Sequence, residues 1–162
     1  SVLESQGKYE EAEAMHRQAL EGRNKVLGPE HPHTLTSVSN LGSVLESQGK
    51  YEEAEAMHRQ ALEGGESVLG PEHPHTLTGV GNLESVLGSQ GKYKEAEELE
   101  VQVMEKRKSV LGREHPDTLA SMGNLAFILK AQGNNKKAIS LMAECFQLRE
   151  RVLGPQHPCT TF

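Results

Sequence analysis

The chain has 162 residues, enough for one domain, yet only 35% of them are hydrophobic, 4% are aromatic and none is tryptophan, which is thin for a compact globule. A net charge of −6 weighs against nucleic acid, whose phosphates call for a basic face. No apolar run approaches the roughly 20 residues of a membrane span, and no signal-peptide pattern opens the chain.

In chain order, residues 1–6 (SVLESQ) repeat residues 43–48, so the chain is expected to open midway through a helix. Gly7-Lys8 is then expected to turn it into a second helix, giving a half unit over residues 1–30. From there the text repeats. Gly7, Gly49, Gly91 and Gly133 are each 42 residues apart, as are His31-Pro32, His73-Pro74, His115-Pro116 and His157-Pro158. Residues 7–48 and 49–90 are identical at 35 of 42 positions. A fixed period of this size is the mark of a repeat array. The units read 31–72, 73–114 and 115–156, with 157–162 opening a truncated unit, all within a single array over 1–162.

Each unit predicts two helices. The first runs from about Pro32 to Gln48, with Leu35, Val38, Leu41, Val44 and Leu45 at three- and four-residue steps. Gly49-Lys50 ends it, glycine being the residue that takes positive φ without strain. The second runs from about Tyr51 to Leu69, with Tyr51, Ala54, Met57, Ala61, Leu62, Val68 and Leu69 as its buried stripe. Gly70-Pro71 stops that helix, and His73-Pro74 starts the next, proline suiting a first turn that needs no N–H. Nothing alternates as a strand would, so the fold class is all-α. In the unit 73–114 Glu84 stands where Gly42 and Ala126 stand. With Gly79, Gly81 and Gly88 this makes its first helix the softest, at roughly 1 kcal/mol per glycine against alanine.

Leu41-Gly42, Leu45, Ala54 and Ala61 fall at the spacings of the tetratricopeptide repeat. The 42-residue period, with GKYEEAE, VLGPEHP and HPHTL, resembles the longer variety found in kinesin light chains; similar arrays occur in STAND-type signalling ATPases. The resemblance implies a right-handed superhelical solenoid of antiparallel helix hairpins whose first helices line a concave face. It places Thr36, Ser39, Asn40, Ser43 and Ser47 on that face. The next unit offers Thr78, Gly81, Asn82, Ser85 and Ser89, and the last Ala120, Gly123, Asn124, Phe127 and Ala131, with Lys130 nearby.

Asn40, Asn82 and Asn124 recur once per unit. A carboxamide both donates and accepts, so each can hold a peptide backbone or can bond to a neighbouring helix. The implied function is a protein–protein interaction scaffold that takes an extended peptide. Two alternatives are a sensor array of a larger signalling ATPase and a self-assembling module, the truncated ends being expected to associate. No catalytic motif or cofactor signature is present. The histidine pairs are strung along the loops rather than converging as zinc requires, so no metal site is expected. Glu13–Arg17 and Glu55–Arg59 are spaced for helical ion pairs, and the glutamate clusters read as a solvated outer face. Cys145 stands at the position of Ala61 and reads as a packed thiol. Cys145 and Cys159 form no disulfide framework, which points to a reducing, cytoplasmic setting.

Overall fold

The computed structural model describes residues 2–153. They form α1 (Val2–Leu27), α2 (Pro32–Ser47), α3 (Tyr51–Val68), α4 (Pro74–Ser89), α5 (Tyr93–Leu111), α6 (Pro116–Ala131) and α7 (Asn135–Leu153), with no strand among the described residues. The described residues fall into two compact units, divided between residues 90 and 91. His157, Pro158 and Cys159 lie outside the described residues.

The three first helices begin alike, and the device is the histidine. His31, His73 and His115 are N-caps whose Nδ1 accepts the N–H of the residue two places on, at 3.2 Å, ahead of a proline in the first turn. An imidazole thus does what Ser or Asp does at most N-caps. The far end is equally specific. Gly49 takes φ 76°, its N–H bonds to the Glu46 carbonyl, and the Lys50 N–H reaches back to Leu45 at 2.9 Å. Gly133 and Asn134 repeat both bonds onto Lys130 and Leu129. This reciprocal pair satisfies carbonyls that the helix end would leave open.

In the first unit α2 packs on α1, α3 and α4, and α3 packs on α4. Leu35, Val38, Leu41 and Leu45 of α2, Ala54, Ala61 and Leu62 of α3, and Val80, Leu83, Val86 and Leu87 of α4 are buried. Small residues set the spacing. A Cβ on Gly42 would come within 2.7 Å of the His58 ring, and one on Gly64 within 2.5 Å of Leu35. In the second unit α6 packs on α5 and α7. Leu119, Met122, Cys145 and Leu148 form one cluster and Leu125, Leu129 and Ala138 another, with Met104 and Leu141 against both.

Three expectations change. The chain does not turn at Gly7-Lys8, because α1 is continuous from Val2 to Leu27. On α3, Val68 is 43% exposed, while His58, at 0%, takes a place in the buried stripe. The glutamates are not all solvated. Glu13 is held by Lys50 at 2.7 Å and Arg17 at 2.8 Å, and these bonds keep its carboxyl at about 2.

Glu55 and Glu97 join a docking clamp. The Gln90 amide donates to the Glu55 carboxylate at 2.8 Å and to the Tyr51 carbonyl at 3.3 Å. Gln132 does the same to Glu97 and Tyr93 at 2.7 and 2.9 Å, and Gln48 reaches the Tyr9 carbonyl at 3.0 Å. The clamp pins the end of a first helix to the start of the preceding second helix.

Candidate interaction surfaces

A second link ties the other end of that junction. Arg23 donates to the Ser37 hydroxyl at 2.6 Å and to the His33 carbonyl at 3.0 Å. Arg107 repeats it onto Ser121 and the Asp117 carbonyl at 2.6 and 3.4 Å. At the junction of α3 with α4 both partners are replaced by glycine: Gly65 stands in the arginine position and Gly79 in the serine position. A guanidinium and a hydroxyl are thereby missing from one place.

That place is a cleft of about 320 Å³. Gly65, Gly79, Leu35 and Ala61 line it, and Thr36, Ser39, Asn40 and Thr78 give it a polar side. Four of the residues singled out from sequence, Thr36, Ser39, Asn40 and Thr78, therefore share one site with an apolar component, which the sequence reading did not include. Asn40 is exposed. Thr36 and Thr78 donate their hydroxyls to the Pro32 and Pro74 carbonyls, at 2.9 Å each.

Other residues of the stripe in this unit bond within α2 or between α2 and α4. Asn82 donates to the Ser39 hydroxyl at 3.0 Å, and Ser85 donates to Glu46 at 2.8 Å. Ser43 bonds back to the Ser39 carbonyl at 3.3 Å. The asparagine row thus divides: Asn82 is half-buried and bonded between helices, while Asn40 and, in the second unit, Asn124 are exposed. Beneath the stripe, Glu46 Oε2 lies 3.9 Å from His58 Nε2, and neither ring nitrogen of His58 has a hydrogen-bond partner among the described residues. Burial pushes this imidazole below its usual value, with the Glu46 charge pulling the other way.

In the second unit Phe127 and Lys130 come together on a broad trough of about 990 Å³ between α6 and α7. Cys145 is buried, with its Sγ 3.4 Å from the Leu119 carbonyl, and burial pushes its thiol up, away from the thiolate a nucleophile needs. Among the described residues no three of His, Cys, Asp and Glu gather to hold a metal, and no helix is long and apolar enough to cross a membrane.

A tetratricopeptide repeat family model matches residues 1–67 and 37–109, and a second tetratricopeptide repeat model matches residues 118–158. Among solved structures, the chain is similar to a Podosopora anserina protein described as a kinesin light chain with nearly identical TPR-like repeats. Identity is 29% over 90% of this chain and 69% of that one, with a TM-score of 0.81. A single-substitution variant of the same protein gives 28% identity over 91% and 69%, also at 0.81. BtubC (BKLC) from P. vanneervenii shares the fold at 22% identity, covering 94% of this chain and 60% of that one, with a TM-score of 0.73. No curated protein matches the chain. Repeats of this family are scaffolds for protein–protein interaction. The chain belongs to the tetratricopeptide repeat family, as an array of the kinesin-light-chain-like type.

Proposed function

We propose that the chain binds an extended segment of a partner protein along its first helices, with the cleft beside Asn40 as the anchoring pocket. The observation that carries this reading is the loss of the Arg–Ser link at one junction, which leaves a partly apolar recess next to an exposed carboxamide. A peptide side chain fills the recess while Asn40 pairs with the adjacent peptide N–H and C=O. An extended strand rises about 3.3 Å per residue, so the ligand passes from one helix layer to the next in a few residues. Asn124 is the corresponding contact in the second unit. Asn82 serves chiefly to tie α4 to α2, with its amide nitrogen already given to Ser39.

In this reading the two units belong to one continuous array, no residue has a catalytic role, and the protein works in a reducing cytoplasm. The same interaction fold serves a sensor array of a larger ATPase or an end-to-end assembly, but an anchoring recess favours peptide capture over both.

Selection of random linear 12-residue peptides against the full chain tests this. A consensus should emerge, and Asn40→Asp should weaken the selected peptide at least tenfold without shifting Tm. Equal affinity for the variant would refute Asn40 as the backbone contact.

A further inference from the structure

The trough between α6 and α7 is a surface of a different kind. Phe127, Ile139 and Met142 are 74%, 69% and 43% exposed, and with Phe146 they form its apolar lining over Ala138 and Ala143. Counted back by two periods, these positions match residues in α2 and α3 that form the seat of α4 in the first unit. There His58 and Leu62 are buried, and Gly79 of α4 lies against Leu62. The trough therefore has the form of a helix seat.

Its chemistry, however, is not that of the repeat. A first helix of the repeat's own kind ends in a glutamine clamped to a tyrosine carbonyl and a glutamate, as Gln90 is to Tyr51 and Glu55. In α7 the glutamate position holds Ile139 and the tyrosine position Asn135. Ser43 is replaced by Phe127, His58 by Met142 and Glu46 by Lys130. The seat has gained apolar surface and lost the carboxylate half of its clamp, since the tyrosine's part is a backbone carbonyl that Asn135 also carries.

The charge has changed with it. Residues 118–143 hold Lys130, Lys136 and Lys137 and no acidic residue, in a chain whose net charge is −6. Lys130 lines the trough, and Lys136 and Lys137 share the first turn of α7 with the lining residue Asn135. None of the three pairs with a carboxylate among the described residues. Three lysines around one apolar seat also argue against a second copy laid symmetrically on the first.

We propose that the α6–α7 trough is a docking site for an amphipathic helix of a partner protein, with an apolar stripe and acidic residues in its last turns. The direction comes from α4, whose C-terminal Gln90 meets the start of α3 at Tyr51. A helix seated in the same way on α7 brings its C-terminus to Lys130, Lys136 and Lys137. There its acidic side chains and its exposed carbonyls both meet positive charge. This is independent of the peptide cleft in the first unit.

The test uses two labelled 18-residue peptides of equal composition, each with leucines at i, i+3, i+4 and i+7. One carries three glutamates in its last two turns, the other in its first two, and binding to the full chain is read by fluorescence anisotropy. The first should bind at least tenfold more tightly, and Lys130→Glu with Lys137→Glu should remove that preference. Ile139→Glu and Phe127→Ser, which restore the residues the repeat carries elsewhere at exposed positions, should each weaken it at least tenfold with unchanged circular dichroism. Equal binding of the two peptides, or binding untouched by Ile139→Glu, would overturn the proposal. So would a concentration-dependent dimer in sedimentation equilibrium that Ile139→Glu dissolves, since the occupant would then be a second copy.

Discussion

Gly42→Ala should destabilise the first unit, although alanine is the better helix former by about 1 kcal/mol. A Cβ at residue 42 would sit 2.7 Å from Cε1 and 2.9 Å from Nδ1 of His58. Carbon contacts relax near 3.5–4.0 Å, so the ring or the helix must retreat by about 1 Å. His58 is fully buried and has no open side to retreat into. Overpacking of this kind costs about 1–3 kcal/mol, leaving a net loss of up to about 2 kcal/mol once the propensity gain is subtracted. The second unit carries the permitted alternative, Ala126 with Met142, whose thioether adapts its shape. In a His58→Met background the same Gly42→Ala change should therefore stabilise, by as much as about 1 kcal/mol. Urea unfolding followed by circular dichroism over the four variants measures the coupling. If Gly42→Ala raised the midpoint equally in both backgrounds, the steric argument would be wrong.

Other outcomes follow from the same geometry. His73→Ala removes the Nδ1 cap of α4 and should cost about 0.5–2 kcal/mol, with His73→Asp restoring it; thermal melts decide, and no difference between the two would deny the cap. Gly81→Ala should stabilise by about 1 kcal/mol, because a Cβ there meets nothing within 4 Å. It should also slow amide exchange in α4, which in the parent chain should exchange faster than α2. The lowered pKa of His58 means the unfolded chain takes up that proton first, so its contribution is complete above pH 6.5 and is lost as pH falls below it. His58→Met should flatten the decline of Tm between about pH 6.5 and 5. The Glu13 contribution is present above pH 4.5 and is lost only as pH approaches about 2, so Glu13→Gln should leave that window unchanged.

Much of the architecture is legible in the repeat itself. The 42-residue spacing of glycine and His-Pro, with leucines at helical steps, predicts α2 and α3 to within a residue or two at each end. What escaped lay in pairs of positions far apart in the chain. His58 reads as a polar residue on a second helix, and only the absent side chain of Gly42 shows that a ring must lie over it. Glu55 and Glu97 read as surface charge because the glutamine that claims each lies 35 residues on. Gly7 matches the other turn glycines in sequence, yet it lies inside the continuous α1. The cleft did leave a signal. Residues 7–48 and 49–90 differ at only seven positions, and two of them are Arg23 against Gly65 and Ser37 against Gly79. The same pair returns together as Arg107 and Ser121, so the two positions change in step, as bonded partners do.

That pair also offers the most direct measurement. Gly65→Arg with Gly79→Ser writes the link of the other junctions into the α3–α4 junction and fills the recess with a guanidinium. Calorimetric titration with the selected linear peptide should then show binding lost at least a hundredfold, while Tm holds or rises through the new hydrogen bond. Undiminished affinity in the filled variant, with the fold intact, would mean that the partner docks elsewhere and that the recess is not the anchor.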